Sequence, residues 1–152
     1  QREIANTLGS LGNLALRRGE YTQAQDYFDQ SLAIKRTLGD PHGIASTLHR
    51  LGVLARVRGE LAISLSYFES SLRGVHTIGA LRDYQIGLED FALLLQEIAD
   101  TSQDAARCAE MLDLMRRAHA LMESLGQSLK SKGDPNTPLT LHYLREIEAR
   151  CG

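Results

Sequence analysis

Apolar residues recur at three- and four-residue spacing through the first eighty positions. Ile4, Leu8, Leu11 and Ala15 make one such face, and Gly19-Glu20 interrupts it. Tyr21, Ala24, Phe28, Ser31 and Leu32 make a second, closed by Gly39-Asp40-Pro41. Three- and four-residue spacing places side chains on one side of an α-helix, and glycine followed by proline ends one. The pattern therefore predicts a helix A and a helix B. Residues 1–40 laid over 41–80 without a gap give 17 identical pairs, among them Leu8/Leu48, Leu11/Leu51, Gly12/Gly52, Ala15/Ala55, Gly19/Gly59, Phe28/Phe68 and Gly39/Gly79. A fixed period of this length marks a solenoid, in which each helix pair buries its apolar face only by stacking on a neighbour. Gly12 and Ala24 stand where two antiparallel helices approach closely, and Phe28 supplies the bulk that fills the space. Gly52, Ser64 and Phe68 repeat that arrangement.

A third repeat, 81–126, is degenerate. Leu88, Phe91, Ala92 and Leu95 keep the register of helix A, but Ala99-Asp100 replaces Gly-Glu, and the stop at Leu125-Gly126 comes seven residues late. Residues 101–107 are the insertion; they either lengthen the loop or, with Ser102 as a cap, start the last long helix early. Residues 127–136, rich in Ser, Lys, Gly and Asp, read as a linker. Thr137-Pro138 followed by Leu141, Leu144 and Ile147 predicts a C-terminal capping helix over 137–152.

Composition agrees with an all-α chain: three prolines, no tryptophan and 5% aromatic residues, with abundant Leu, Ala, Arg and Glu. Seventeen Lys+Arg against 19 Asp+Glu leave a net charge of -2. No global field then draws the chain to nucleic acid or an anionic membrane, and any electrostatic selectivity is local. No apolar run reaches the roughly 20 residues that span a bilayer. Cys108 and Cys151 form no paired motif, so a reducing, cytoplasmic setting is the expectation. The chain starts inside a helical pattern, which predicts a segment cut from a longer protein.

Candidate chemistry changes this picture little. The glycines never form a phosphate-binding loop, and the sequence has no zinc-protease helix or nucleophile elbow. The five histidines include no pair spaced to place two ligands on one helix face. The grouping of His49 with Glu89 and Asp90 is the nearest approach to a catalytic cluster. No metal or cofactor is expected, and the chain reads as non-enzymatic. Met111, Met115, Ala118, Met122 and Leu125 form an apolar stripe. It is either core beneath the capping helix or a docking face.

Leu8-x-x-Leu11-Gly12-x-x-Ala15 with Ala24-x-x-x-Phe28, repeated as Leu48-x-x-Leu51-Gly52-x-x-Ala55 with Phe68, resembles the tetratricopeptide repeat consensus. Leu8 and Arg36 stand in place of its aromatic start and later proline. The period of 40 rather than about 34 resembles a long variant of the family. The resemblance implies a right-handed superhelix of antiparallel helix pairs and a protein or peptide partner held on its concave wall. Carried onto this chain, that wall includes Asn6, Asn13 and Arg17, then His49, Arg50 and Arg56, then Glu89. Asparagine amides there would bond a peptide backbone, and arginine forks would pair with acidic residues. The third repeat and tail, from Gly87-Leu88-Glu89 through Glu123-Ser124-Leu125-Gly126 to Tyr143-x-x-Glu146, resemble the C-terminal end of bacterial signal-transduction ATPases. That resemblance implies a second reading, a ligand-sensing or self-assembly arm of a larger regulator. Such an arm would form a homodimer through the last long helix or the exposed ends.

Overall fold

A computed structural model describes residues 1–128 and 136–152, with side chains described up to 126 and from 137. Among the described residues the chain is all-α, seven helices without a strand. They are α1 (Arg2–Arg17), α2 (Tyr21–Leu38), α3 (Pro41–Val57), α4 (Leu61–Thr77), α5 (Leu81–Thr101), α6 (Cys108–Ser128) and α7 (Asn136–Cys151). Two compact units, Gln1–Gly87 and Leu88–Gly152, divide the chain within α5. No described helix is long and apolar enough to cross a membrane.

In the first unit α1 packs on α2, α2 on α3, and α3 on α4, the succession expected of stacked helix pairs. The ends of these four helices are built alike. Gly39 adopts φ 63°, and Gly39 and Asp40 donate backbone N–H groups to the carbonyls of Arg36 and Lys35. Only glycine takes that left-handed conformation without strain, and the paired bonds satisfy carbonyls that the helix leaves open. Gly19, Gly59 and Gly79 repeat the device. The next residue, Asp40, starts α3: its carboxylate accepts the Gly43 N–H at 3.0 Å, and Pro41 occupies the first turn. Three residues thus end one helix and begin the next.

The core follows from small residues meeting large ones. A Cβ on Gly12 would lie 2.5 Å from the Phe28 ring, and one on Gly52 would lie 3.2 Å from Phe68. Phe28 and Phe68 are fully buried. Ala15, Ala24, Leu32, Leu48, Leu51 and Leu54 close around Phe28. Ser64, which stands for Ala24 in the second repeat, loses nothing by its hydroxyl, which donates to the Gly52 carbonyl at 2.8 Å. The apolar face assigned to α1 is less covered than its period implies. Ile4 is 55% and Leu11 38% exposed, whereas Leu51, the equivalent of Leu11, is buried because α3 is packed by both α2 and α4 while α1 packs mainly on α2 alone.

The second unit resolves two alternatives and corrects two expectations. Thr101 ends α5 and α6 starts only at Cys108, so the insertion is a loop and not an early helix start. Met111, Met115, Ala118 and Met122 are completely buried and Leu125 nearly so. The stripe is core and presents no docking face, since α7 packs on α6. Most of the expected linker, 129–135, lies outside the described residues. Asn136 already belongs to α7, which therefore starts before Thr137. The cysteines depart from expectation most clearly. Cys108 opens α6, Cys151 closes α7, and the two are joined in a disulfide with Cα atoms 5.7 Å apart. A separation of 43 residues hides the pair in the sequence; the packing of α7 back along α6 brings its ends together. Free thiols, the ground for assigning a reducing compartment, are therefore not what this unit carries.

Candidate functional site

The largest cleft described in the first unit opens between α1 and α3, with a volume of about 480 Å³. Arg2, Asn6 and Ser10 come from α1, one turn apart along a single face. Ser46 and Arg50 come from α3 in the same way, and Lys35 reaches in from the last turns of α2. Each position follows from helical period: residues four apart share a face, so α1 and α3 present ridges of polar groups to each other.

Lys35 is the least expected member. It continues the buried stripe of Phe28, Ser31 and Leu32 by one further turn and is only 5% exposed. Its ammonium donates to the Thr47 hydroxyl at 3.0 Å, and Thr47 donates to the Gly43 carbonyl at 2.9 Å. Burial lowers its pKa and the nearby Arg50 charge adds to that, while Asp40 pulls the other way. Burial likewise lowers the pKa of Arg50. Desolvation disfavours the charged form of both, and the Arg50 charge further disfavours that of Lys35.

Two glycines make room for these side chains. A Cβ on Gly9 would stand 2.8 Å from the Arg50 guanidinium, and one on Gly43 would stand 2.9 Å from the Lys35 stem. The second repeat shows the same location filled. There Ala45, Ser46, His49, Ser71, Val75 and Asp83 enclose a cavity of only about 50 Å³. In the 40-residue register His49 replaces Gly9 and Val75 replaces Lys35. His42, at the position of Arg2, bonds Asp83 at 2.8 Å. One feature is common to both places: Ser31 donates to the Ala5 carbonyl and Ser71 to that of Ala45, each at 2.8 Å. The scaffold is thus shared, and only the side chains distinguish an open cationic cleft from a nearly closed one.

Of the residues expected on the concave wall, Asn6 and Arg50 meet in this cleft. His49 lies in the small cavity instead, with its ring 5.7 Å from that of Phe68, edge to face. Asn13 is half-buried and Arg17 exposed farther along α1, and Arg56 is half-buried near the end of α3; none of the three lines the cleft. Glu89 is exposed and belongs to the second unit. Lys35 and Arg2 escaped the sequence reading. The signal for Lys35 was present: a lysine standing where the next repeat has valine, on a stripe otherwise of core residues.

Compared with known families, residues 3–75 match the tetratricopeptide repeat. No curated protein matches the chain.

Proposed function

From the membership of residues 3–75 in the tetratricopeptide repeat family, whose repeats are generally protein–protein interaction modules, we propose that the chain is a non-catalytic binding module. It holds a segment of a partner protein along the cleft between α1 and α3. The observation that carries this reading is the open polar cleft of about 480 Å³ on the first repeat. Asn6, Ser10 and Ser46 supply amide and hydroxyl groups suited to a peptide backbone, and Arg50 supplies a cation for acidic residues of the segment. The small volume at the equivalent place in the second repeat restricts the segment's side chains to the first.

Selection of peptides from a random library, followed by amide chemical-shift mapping of the bound complexes, tests the proposal. Selected peptides are expected to shift the resonances of Asn6, Ser10, Ser46 and Arg50. Peptides that bind but perturb only α2 and α4 away from the cleft would refute it, as would the failure of any peptide to be selected.

A further inference from the structure

The cleft carries more positive charge than a partner backbone requires. Arg2, Lys35 and Arg50 line it against one carboxylate, Asp40. Asp40 is already engaged, capping α3 through the Gly43 N–H. Among the described residues no ion pair joins it, or any other carboxylate, to Lys35 or Arg50. Asp40, the one carboxylate acting on Lys35, offsets only part of the cost of its burial beside the Arg50 charge, an unfavourable arrangement. Natural sequences keep such local conflicts where a ligand resolves them. The contrast within the chain sharpens the point, since the second repeat carries hydrocarbon at Val75 where the first carries the Lys35 ammonium.

We propose that Lys35, Arg50 and Arg2 form a pocket for a phosphorylated side chain on the partner segment, an inference that rests on the interaction-module reading above. The charge balance selects the ligand. With Asp40 counted, the pocket has an excess of two positive charges, and a phosphomonoester carries about -1.5 to -2 at neutral pH. A single carboxylate would leave one cation uncompensated. The geometry agrees. The Arg50 guanidinium lies against Gly9 and Arg50 lines the cleft, and a planar fork with several N–H donors matches phosphate oxygens. The Lys35 ammonium, fixed by one bond to Thr47, keeps two further N–H groups for the anion. Asn6, Ser10 and Ser46 on the walls add neutral donors. His49 and Val75 remove both the space and the charge from the second repeat, so one phosphate is expected per chain.

The test uses three acetylated and amidated peptides of neutral Gly/Ser composition, carrying phosphoserine, glutamate or serine at one central position, with inorganic phosphate as a fourth probe. Affinities are read by chemical-shift titration of the full chain. The phosphopeptide is expected to bind about tenfold or more tighter than the glutamate peptide. Lys35→Met and Arg50→Gln should each weaken it by about tenfold, and Arg36→Gln on the exposed face of α2 should leave it within about twofold. Asp40→Asn keeps a capping side chain but removes the competing charge, and should tighten binding by about threefold. This gain does not depend on the other variants staying folded. Equal affinity for the phosphoserine and glutamate peptides overturns the proposal, as does a phosphate preference that survives Lys35→Met and Arg50→Gln together. If the serine peptide binds the cleft as well as the phosphopeptide does, the phosphate pocket falls and the segment-binding reading stands. Inorganic phosphate binding as tightly as the phosphopeptide removes the segment from recognition and overturns both.

Discussion

The Lys35 ammonium and the Thr47 hydroxyl, 3.0 Å apart, tie the end of α2 to the start of α3 through a buried hydrogen bond. Forty residues on, the same place in the repeat is hydrocarbon: Val75 replaces Lys35 and is 4% exposed. The two repeats share helix ends, serine bonds and an aromatic centre, and differ in whether a charge is kept inside. That difference sets the expectations below.

Lys35→Met should stabilise the first unit, by about 1 kcal/mol near neutral pH, because a buried charge is exchanged for a hydrophobe of similar length. The pH dependence has a definite sign. The folded-state pKa of Lys35 lies below its ordinary 10.5, so the unfolded chain holds the proton more tightly. Stability in the wild type then rises with pH between the lowered folded value and 10.5, and this contribution is lost as pH falls through the folded value. Urea unfolding across the alkaline range should show the rise in the wild type and a flatter profile in Lys35→Met. A parallel rise in both would rule out Lys35 as its source.

Gly12→Ala and Gly52→Ala should separate sharply. The first places a Cβ 2.5 Å from the Phe28 ring, and the second places one 3.2 Å from Phe68. Overpacking should cost Gly12→Ala about 1–3 kcal/mol. Gly52→Ala gains about 0.5–1 kcal/mol of helix propensity and should come out near neutral. Thermal unfolding of the two variants side by side decides the ranking, and equal losses would contradict it.

Asp40→Ala should cost about 1 kcal/mol through loss of the cap on α3. It should also push the Lys35 pKa lower still, since Asp40 is the charge that raises it. Asp40→Asn should preserve most of the stability. Unfolding free energies of the pair measure the cap, and a loss in Asn as large as in Ala would show that the charge, not the bond to Gly43, holds the helix start.

Cys151→Ser should destabilise the second unit by about 2–4 kcal/mol, the range for closing a loop of this length. The disulfide joins residues 43 apart and fixes the last turn of α7 beside the first turn of α6. Hydrogen exchange should rise along α7 in the variant and in the reduced wild type. Unchanged protection in both would mean that the buried Ile147 contact holds the helix without the bond.

What the sequence determined by itself was everything carried by spacing. The three- and four-residue period of Leu48, Leu51 and Ala55, the glycines at 19, 39, 59 and 79, and the pairing of Gly12 with Phe28 follow from helix geometry and the steric cost of left-handed backbone. Such terms act between residues near in the chain, or repeat at a fixed interval, so a pattern reports them. Asn6 and Arg50 were placed on one wall by the resemblance to the repeat consensus, and both line the cleft.

The tertiary structure decided what depends on which surfaces meet. It buried the methionine stripe beneath α7, brought Cys151 to Cys108, and left Leu11 exposed although its equivalent Leu51 is core. It also turned Lys35 inward, its stem in the space left by Gly43 and its ammonium on Thr47, within reach of the Arg50 charge. A lysine in a helix reads from sequence as solvated surface, because its long stem usually carries the charge to water. Only the packing of α1 and α3 on either side of α2 sets how much water that charge retains, and with it whether the residue is surface or site.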